Sequence, residues 1–443
     1  MPRLFGTDGI RGVANVDLKP TVAYALGRAT AHRLVGQGGS LVVGQDTRRS
    51  CDMFVAAIAS GATSMGVDVH VAGVVPTPAL AFLAGEGDFA AGIMVSASHN
   101  PAEDNGLKVL DERGLKLDDV VEDELEALIW RSEELGGVGN AELGRVHIVP
   151  ELLERYRQSR LTLARGIATD VRIVLDCANG SGGVLGPEIL AATGASVEVI
   201  NNDPDGVNIN VEAGATAPAA LAATVSARGA DVGFALDGDA DRLIAVDAAG
   251  QVVDGDRILG ILALDRLSRG ALPGGGLVVS VLSNGGLQAA VEAAGGQVIR
   301  TPVGDKYILE GMQVGGSALG GEKSGHVIIL EHTTSGDGVV TALEVLRVMA
   351  RRSAPLSELA AQIPLLPQEQ RAVPARHRDQ WEGDPTLQRA LRDARGRLGP
   401  SGRILVRPSG TEPALRVMVE GPDAGLVAEL ADSLAAVASK RLN

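Results

Sequence analysis

The sequence predicts an α/β protein in which three similar domains are followed by a smaller α+β domain. Three observations carry that expectation. A strand–helix–strand pattern recurs three times, a glycine-rich polar cluster closes each recurrence, and the pattern changes after Pro364.

Leu41–Val43 runs into GQDTRRS, Ile173–Leu175 into DCANGSGG, and Leu277–Val281 into LSNGG, each followed by an Ala/Leu-rich helical stretch. The helices, expected to be about 15 residues long, stop at Gly66, Gly194 and Gly296, since glycine just past a helix relieves the left-handed backbone there. Alternating runs follow at VDVHV, ASVEV and QVIR. Strand, helix and strand make a βαβ unit, which implies parallel pairing. Three such units imply three similar domains.

Each unit then delivers a polar cluster from another apolar run: GIMVSASHNP (92–101), GFALDGDADR (233–242) and SALGGEKSGH (317–326). Open α/β sheets bind ligands beyond the carboxyl ends of their strands, so all three clusters fall where a site is expected. The remainder differs. Segment 364–402 is rich in Pro, Arg, Gln and Asp, RILVRPSGTEPALRVMVEG reads as two short strands around a turn, and Ala424–Leu442 has helical periodicity.

Composition bounds the function. A chain of 443 residues exceeds one core. Its 45% apolar and 21% charged residues are those of a globular protein, with cores built from Ala, Val, Leu and Ile because aromatics are only 2%. The net charge is −15 and no basic stripe occurs, which excludes a nucleic-acid footprint. Cys51 and Cys177 lack metal-like spacing and are expected as buried free thiols. No apolar leader opens the chain and no run reaches the ~18 apolar residues of a membrane span, so a cytoplasmic protein without a membrane partner is expected.

Chemistry concentrates in the clusters. Asp237, Asp239 and Asp241, spaced by Gly238 and Ala240 after an apolar strand, can fold around one hard cation that prefers oxygen ligands. A calcium EF-hand loop does not fit, because Arg242 and Ala248 stand where its Gly and Glu belong. A phosphatase-type reading, with Asp237 as nucleophile, stays open. Ser98, in SASHNP, lacks the G-x-S-x-G surroundings of a hydrolase elbow. A loop serine beside a metal loop points to phosphoryl transfer, in which a metal offsets charge on the transferring oxygens. Two anion cradles accompany them: Arg407-Pro-Ser409-Gly410-Thr411, with Arg416 across the hairpin, and Gly6-Thr-Asp-Gly-Ile-Arg11-Gly12. Only six lysines occur, and Lys108, Lys306 and Lys323 lie in or beside the clusters. Lysine shifts its pKa readily when desolvated, which makes Lys108 the first candidate base.

GTDGIRG, SASHNP, DGDADR, GEKSGH and RPSGTEP, in this order, resemble the α-D-phosphohexomutase superfamily over essentially the whole chain. Within it, FGTDGIRG, SHNPAEDNGLK, GGEKSGH followed by TTSGDG, and SGTEPALRVMVEG resemble the branch acting on glucosamine phosphates. The resemblance implies four domains around a central cleft: 1–153 with the phosphoserine loop, 154–253 with the metal loop, 254–366 with a sugar-recognition loop and 367–443 with a phosphate-binding loop. It implies that Ser98 carries the phosphoryl group, and that Asp237, Asp239 and Asp241 hold Mg²⁺ together with a phosphoserine oxygen. Glu322 and Ser324 are then expected on the sugar, and Arg407, Ser409, Gly410, Thr411 and Arg416 on the non-reacting phosphate. Arg11, His99, Lys108, Arg242 and His326 would surround the reacting phosphate or move protons. The implied reaction interconverts glucosamine 6-phosphate and glucosamine 1-phosphate through a hexosamine 1,6-bisphosphate. Glucose or mannose phosphates remain alternatives, and a homodimer is the implied assembly. One stretch departs from the family pattern: in PDGVNINVEAGAT, Ala213 and Ala215 replace an expected Cys and Ser.

Overall fold

The computed structural model describes residues 3–6, 8–408 and 414–443. Ser409, Gly410 and Thr411 of the expected phosphate loop lie outside the described residues. The chain divides into two compact units, one of residues 1–283 and 291–363, the other of 284–290 and 364–443.

The first unit holds three sheets. One contains β1 (Phe5–Gly6), β2 (Gly9–Val13), β3 (Ser40–Gln45), β4 (Asp68–Val74), β5 (Ala91–Val95), β6 (Asp104–Asp111) and β7 (Val146–Ile148). The next contains β8 (Arg172–Asp176), β9 (Ser196–Ile200), β10 (Val232–Leu236), β11 (Leu243–Asp247) and β12 (Val252–Val253). The third contains β13 (Gly276–Ser280), β14 (Gln297–Thr301), β15 (Leu319–Gly321) and β16 (Val327–Ile329).

The repeat read from the sequence is a repeat of topology. The strand orders include β6-β5-β3-β4, β11-β10-β8-β9 and β16-β15-β13-β14. In each, the first strand of the βαβ unit pairs in parallel with the second and with a third, and a fourth strand returns antiparallel. The three polar clusters occupy the same place in each domain, the reversal between third and fourth strand: β5 to β6, β10 to β11 and β15 to β16. Strands β5, β10 and β13 are buried along their whole length. Burial on both faces is why they read as unbroken apolar runs.

The crossover helices differ from the expectation of about 15 residues. They are Cys51–Thr63, Gly186–Ala191 and Gly285–Ala293. The second is shortest, and a 3-10 turn, Ser181–Val184, comes before it. A Cβ on Gly180 would lie 2.3 Å from the carbonyl oxygen of Gly238, so DCANGSGG presses directly on the metal loop before its helix begins. Both cysteines are buried free thiols, as their spacing predicted.

The second unit is an antiparallel sheet of β17 (Gln368–Pro374), β19 (Ala414–Glu420) and β18 (Arg403–Pro408), in that order, with helices Pro385–Leu398 and Ala424–Leu442. Its core is aliphatic: Leu387, Leu391, Leu415, Val417, Val427 and Leu434 are all buried.

Candidate active site

Ser98 and the aspartate loop meet inside the first unit. The Ser98 hydroxyl donates to Asp237 Oδ2 at 2.6 Å, and both side chains are buried. Ser98 has φ of +53° and Ala240, in the aspartate loop, +58°. Left-handed backbone at non-glycine residues costs energy and concentrates at functional sites.

Asp237, Asp239 and Asp241 each offer an oxygen within 4.8 Å of the others. Burial, then the charges of Asp241 and Asp239, pushes the Asp237 carboxyl well above the usual range. Asp239 Oδ1 and Asp241 Oδ1 are buried with no hydrogen-bond partner. Unpaired buried carboxylate oxygens are costly unless a cation completes them. Three clustered hard oxygens with two orphaned atoms fit a divalent cation that keeps part of its water shell, as Mg²⁺ does.

Cations surround the loop. Lys108 Nζ, nearly fully buried, lies 2.9 Å from Asp239 Oδ2 and 3.9 Å from Asp241 Oδ2. Burial works against its charge, but Asp239, Asp8 and Asp241 more than offset this and raise its pKa. Arg242 donates its backbone N–H to Asp237 Oδ1 at 3.1 Å and sets its guanidinium 3.7 Å from Asp241 Oδ1. His326 Nδ1 lies 3.6 Å from Asp241 Oδ2, while Nε2 accepts the Gly336 N–H at 3.1 Å. That bond keeps the neutral ring's proton on Nδ1, facing Asp241. Burial disfavours charge on His326, and Asp241 overcomes it.

His99 Nδ1 stands 3.3 Å from the Ser98 hydroxyl. Burial, then Arg242 and Arg11, lowers its pKa to about 4, so the ring is neutral near pH 7. Arg11 donates to Asn100 in the serine loop at 2.9 Å and pairs with Asp8.

In the third cluster Glu322 Oε1 accepts the Gly304 N–H at 3.0 Å, and the Ser324 hydroxyl points to Glu322 Oε2 at 3.4 Å. In the second unit Arg407 and Arg416 are directly opposed across β18 and β19.

Nothing in the structure explains why Ala213 and Ala215 stand where Cys and Ser are expected, but the glycine between them has a defined role. Gly214, between them, donates its N–H to Asp176 Oδ2 at 2.9 Å with φ of +72°. A Cβ there would sit 2.4 Å from the Leu236 carbonyl oxygen, so this stretch supports the metal loop through backbone.

Several neighbours escaped the sequence reading. Thr77 donates to Asp239 Oδ2 at 2.6 Å, and Lys116 bridges Asp8 and Asp305. Asp46 and Arg48 lie under the serine loop. GQDTRRS was visible as a strand end, but nothing local said which loop it would meet. Lys306, by contrast, pairs with Asp119 and Glu122 and with none of the three aspartates.

A buried serine hydroxyl on a cation-ready aspartate loop, in a chain of three repeated α/β domains, defines the class: a scaffold for metal-assisted phosphoryl transfer. Models of the phosphoglucomutase/phosphomannomutase family match in four parts. Alpha/beta/alpha domain I covers residues 2–136, domain II 151–250, domain III 254–365 and the C-terminal domain 370–437. A phosphoglucosamine mutase of Moorella thermoacetica is 51% identical over 99% of this chain and 100% of its own. One from Symbiobacterium thermophilum is 47% identical over 99% of each. A phosphoglucomutase/phosphomannomutase family protein from Burkholderia thailandensis superposes with a TM-score of 0.84 at 26% identity, covering 100% of this chain and 98% of that one. The N-acetylphosphoglucosamine mutase of Aspergillus fumigatus, solved with GlcNAc-6P and magnesium, shares the fold with a TM-score of 0.68 at 20% identity, over 99% and 96% of the chains. The chain belongs to the phosphoglucomutase/phosphomannomutase family, within its phosphoglucosamine mutase branch.

Proposed function

We propose that the chain is an isomerase that interconverts glucosamine 6-phosphate and glucosamine 1-phosphate through phosphorylated Ser98 and a hexosamine 1,6-bisphosphate. The observation that carries the reading is the 2.6 Å contact of the Ser98 hydroxyl with Asp237 of the aspartate loop. Both oxygens of Asp237 are engaged, one by Arg242 N–H and one by Ser98, which favours serine over Asp237 as the nucleophile.

Asp237, Asp239 and Asp241 are the residues to hold Mg²⁺. When bound, the ion offsets charge on the transferring phosphoryl oxygens. In the forward step the Ser98 Oγ–P bond breaks and a bond from phosphorus to sugar O1 forms. The sugar hydroxyl loses a proton and Ser98 Oγ gains one, so protons balance. Lys108, expected from the sequence as a base, has its pKa raised by its carboxylate partners, which argues against that role, and it is assigned here as the proton donor toward Ser98 Oγ. His99, kept neutral at physiological pH, offers a ring nitrogen 3.3 Å from the same oxygen and helps to orient it. Arg11 and Arg242 orient the reacting phosphate, and His326 steadies Asp241. The bisphosphate then turns, and Ser98 recovers a phosphoryl group from O6.

Glu322 and Ser324 are assigned to the sugar. Arg407, Ser409, Gly410, Thr411 and Arg416 are assigned to the resting phosphate, where a fork of donors accepts either end of the intermediate. One loop falls to each domain in the division 1–153, 154–253, 254–366 and 367–443. The reading takes the enzyme as cytoplasmic, supplying amino-sugar nucleotide synthesis, and as a homodimer on the family resemblance. Among the described residues no helix is long and apolar enough to cross a membrane.

The test is kcat/KM for glucosamine, glucose and mannose phosphates with Mg²⁺ and a trace of the matching bisphosphate. A glucosamine preference of about tenfold or more, roughly 1.4 kcal/mol in the transition state, supports the substrate. Equal turnover of glucose or mannose phosphate overturns the sugar and keeps the chemistry. Substantial activity in Ser98→Ala overturns the mechanism.

A further inference from the structure

Arg48 is nearly fully buried beneath the serine loop, and the positions of its donors are unusual. Nε donates to Asp46 Oδ2 at 2.9 Å. Nη1 donates to the carbonyl oxygens of Pro101 and, at 3.0 Å, Asp104. Nη2 donates to those of Ser98 at 3.0 Å and Asn100 at 2.9 Å. A guanidinium has five N–H donors, and here one serves the counter-ion while four serve carbonyls of a single loop.

The amide side of Ser98 is held from the same place. Its N–H donates to Ser96 Oγ at 2.9 Å, and that hydroxyl donates to Asp46 Oδ2 at 2.6 Å. Asn210, from the neighbouring domain, adds its own amide donor to the Ser98 carbonyl at 2.8 Å and the Asn100 carbonyl at 3.2 Å. Both peptide groups flanking Ser98 are therefore gripped while its φ stays at +53°. A strained residue persists only where its surroundings over-determine it. Lysine, a point charge with three rotatable donors, cannot reproduce the planar fork.

We propose that Arg48, backed by Asp46, is the positioning residue that keeps Ser98 in its left-handed conformation and so aims Oγ at the aspartate loop. All five side-chain donors of Arg48 are taken by protein oxygens and its side chain is out of solvent, which leaves none for sugar or phosphate. Its effect is on the rate of transfer rather than on binding. The inference rests on Ser98 being the phosphoryl carrier.

The experiment uses the full-length, Mg²⁺-supplied enzyme and the variants Arg48→Lys and Asn210→Asp, with Ser98→Ala alongside. Asn210 itself has φ of +60°, which Asp tolerates, while a carboxylate in place of the amide N–H₂ repels the two carbonyls. Measured are kcat, KM, the Mn²⁺ dissociation constant and the ³¹P resonance of phosphorylated Ser98. Expected for Arg48→Lys is a loss in kcat of about a hundredfold, the scale of an ångström misplacement. KM and Mn²⁺ affinity should stay within about threefold, and the ³¹P line should shift or broaden. Asn210→Asp should move kcat and the ³¹P line in the same direction.

A folded Arg48→Lys enzyme with kcat within about threefold of the parent overturns the proposal. So does a parallel collapse of kcat and Mn²⁺ affinity, which would mean general damage to the fold. Where Arg48→Lys does not fold, Asn210→Asp decides, and an unchanged kcat and ³¹P line overturns the idea. Activity in Ser98→Ala would instead sink the underlying mechanism, and is distinguishable on that account.

Discussion

Lys108 places its ammonium 2.9 Å from Asp239, with both side chains out of solvent. The lysine comes from β6, directly after the serine loop, and the aspartate from the loop after β10. With the Ser98–Asp237 and Thr77–Asp239 hydrogen bonds, this contact joins the serine segment to the aspartate loop. It also determines the lysine's form, since the carboxylates around it raise its pKa against burial.

Removing that cation has a stated cost. Lys108→Met should lower kcat by about 10²–10⁴, the range for losing a positioned acid or base. It also leaves Asp239 less compensated, and breaking a buried pair from one side costs about 3–5 kcal/mol. Steady-state kinetics and thermal unfolding of the same preparation check both. An enzyme that keeps its kcat would remove Lys108 from proton transfer.

Metal should stabilise the fold through the aspartate loop. A divalent ion at 100 times its Kd adds about 2.7 kcal/mol of stability to the form that binds it. Thermal unfolding with and without Mg²⁺ should therefore differ in the parent and not in Asp239→Asn. An equal upward shift in both would place the ion elsewhere.

The glycine under the metal loop can be tested by one methyl group. Gly180→Ala forces a Cβ to within 2.3 Å of Gly238 O unless backbone moves. Mn²⁺ affinity, measured by titration calorimetry, should fall by at least about tenfold, the scale seen when support of metal ligands is lost. Unaltered affinity would mean that the two loops can separate freely.

A second buried charge cluster ties the same region together. The Tyr156 hydroxyl donates to Asp337 Oδ2 at 2.8 Å, and Arg160 Nε reaches the same oxygen at 3.2 Å. The Arg160 guanidinium also lies 4.4 Å from the Tyr156 ring and 5.4 Å from Phe82. Asp337 caps the helix Gly338–Arg352, whose first N–H donates to Ala240 O at 2.9 Å. Asp337→Ala strands the buried Arg160 charge and should cost about 3–5 kcal/mol. Denaturant unfolding measures it, and a loss below about 1 kcal/mol would show that Arg160 finds another partner.

The thiols should be inert in the native protein. Burial and then Asp176 push the Cys177 thiol up to about 12, and burial and then Asp46 push Cys51 well up. A thiolate-trapping reagent at pH 8 should label neither until the chain unfolds, and then both. Rapid native labelling would mean that one of the two sites opens.

The sequence by itself determined the local chemistry and the repeat. Apolar runs ending in SASHNP, DGDADR and GEKSGH placed three loops at the same reversal of three like-ordered sheets, because alternation, glycine breaks and oxygen-ligand spacing are encoded within a few neighbouring residues. Asp237, Asp239 and Asp241 were legible for the same reason, being only two residues apart. Tertiary structure alone decided which loops meet. Arg48 reaches Ser98 across fifty residues, Thr77 reaches Asp239 across 162, and Lys116 meets Asp305 from another domain. No local pattern marks such partners, since a buried arginine beneath a loop and a solvated one read alike in the chain. The short helix Gly186–Ala191 shows the same limit: the sequence pattern predicted about 15 residues, and the chain makes a 3-10 turn at Ser181–Val184 first. Burial and long-range packing, which set the charge state of Lys108 and the strained φ of Ser98, exist only once the domains have closed on one another.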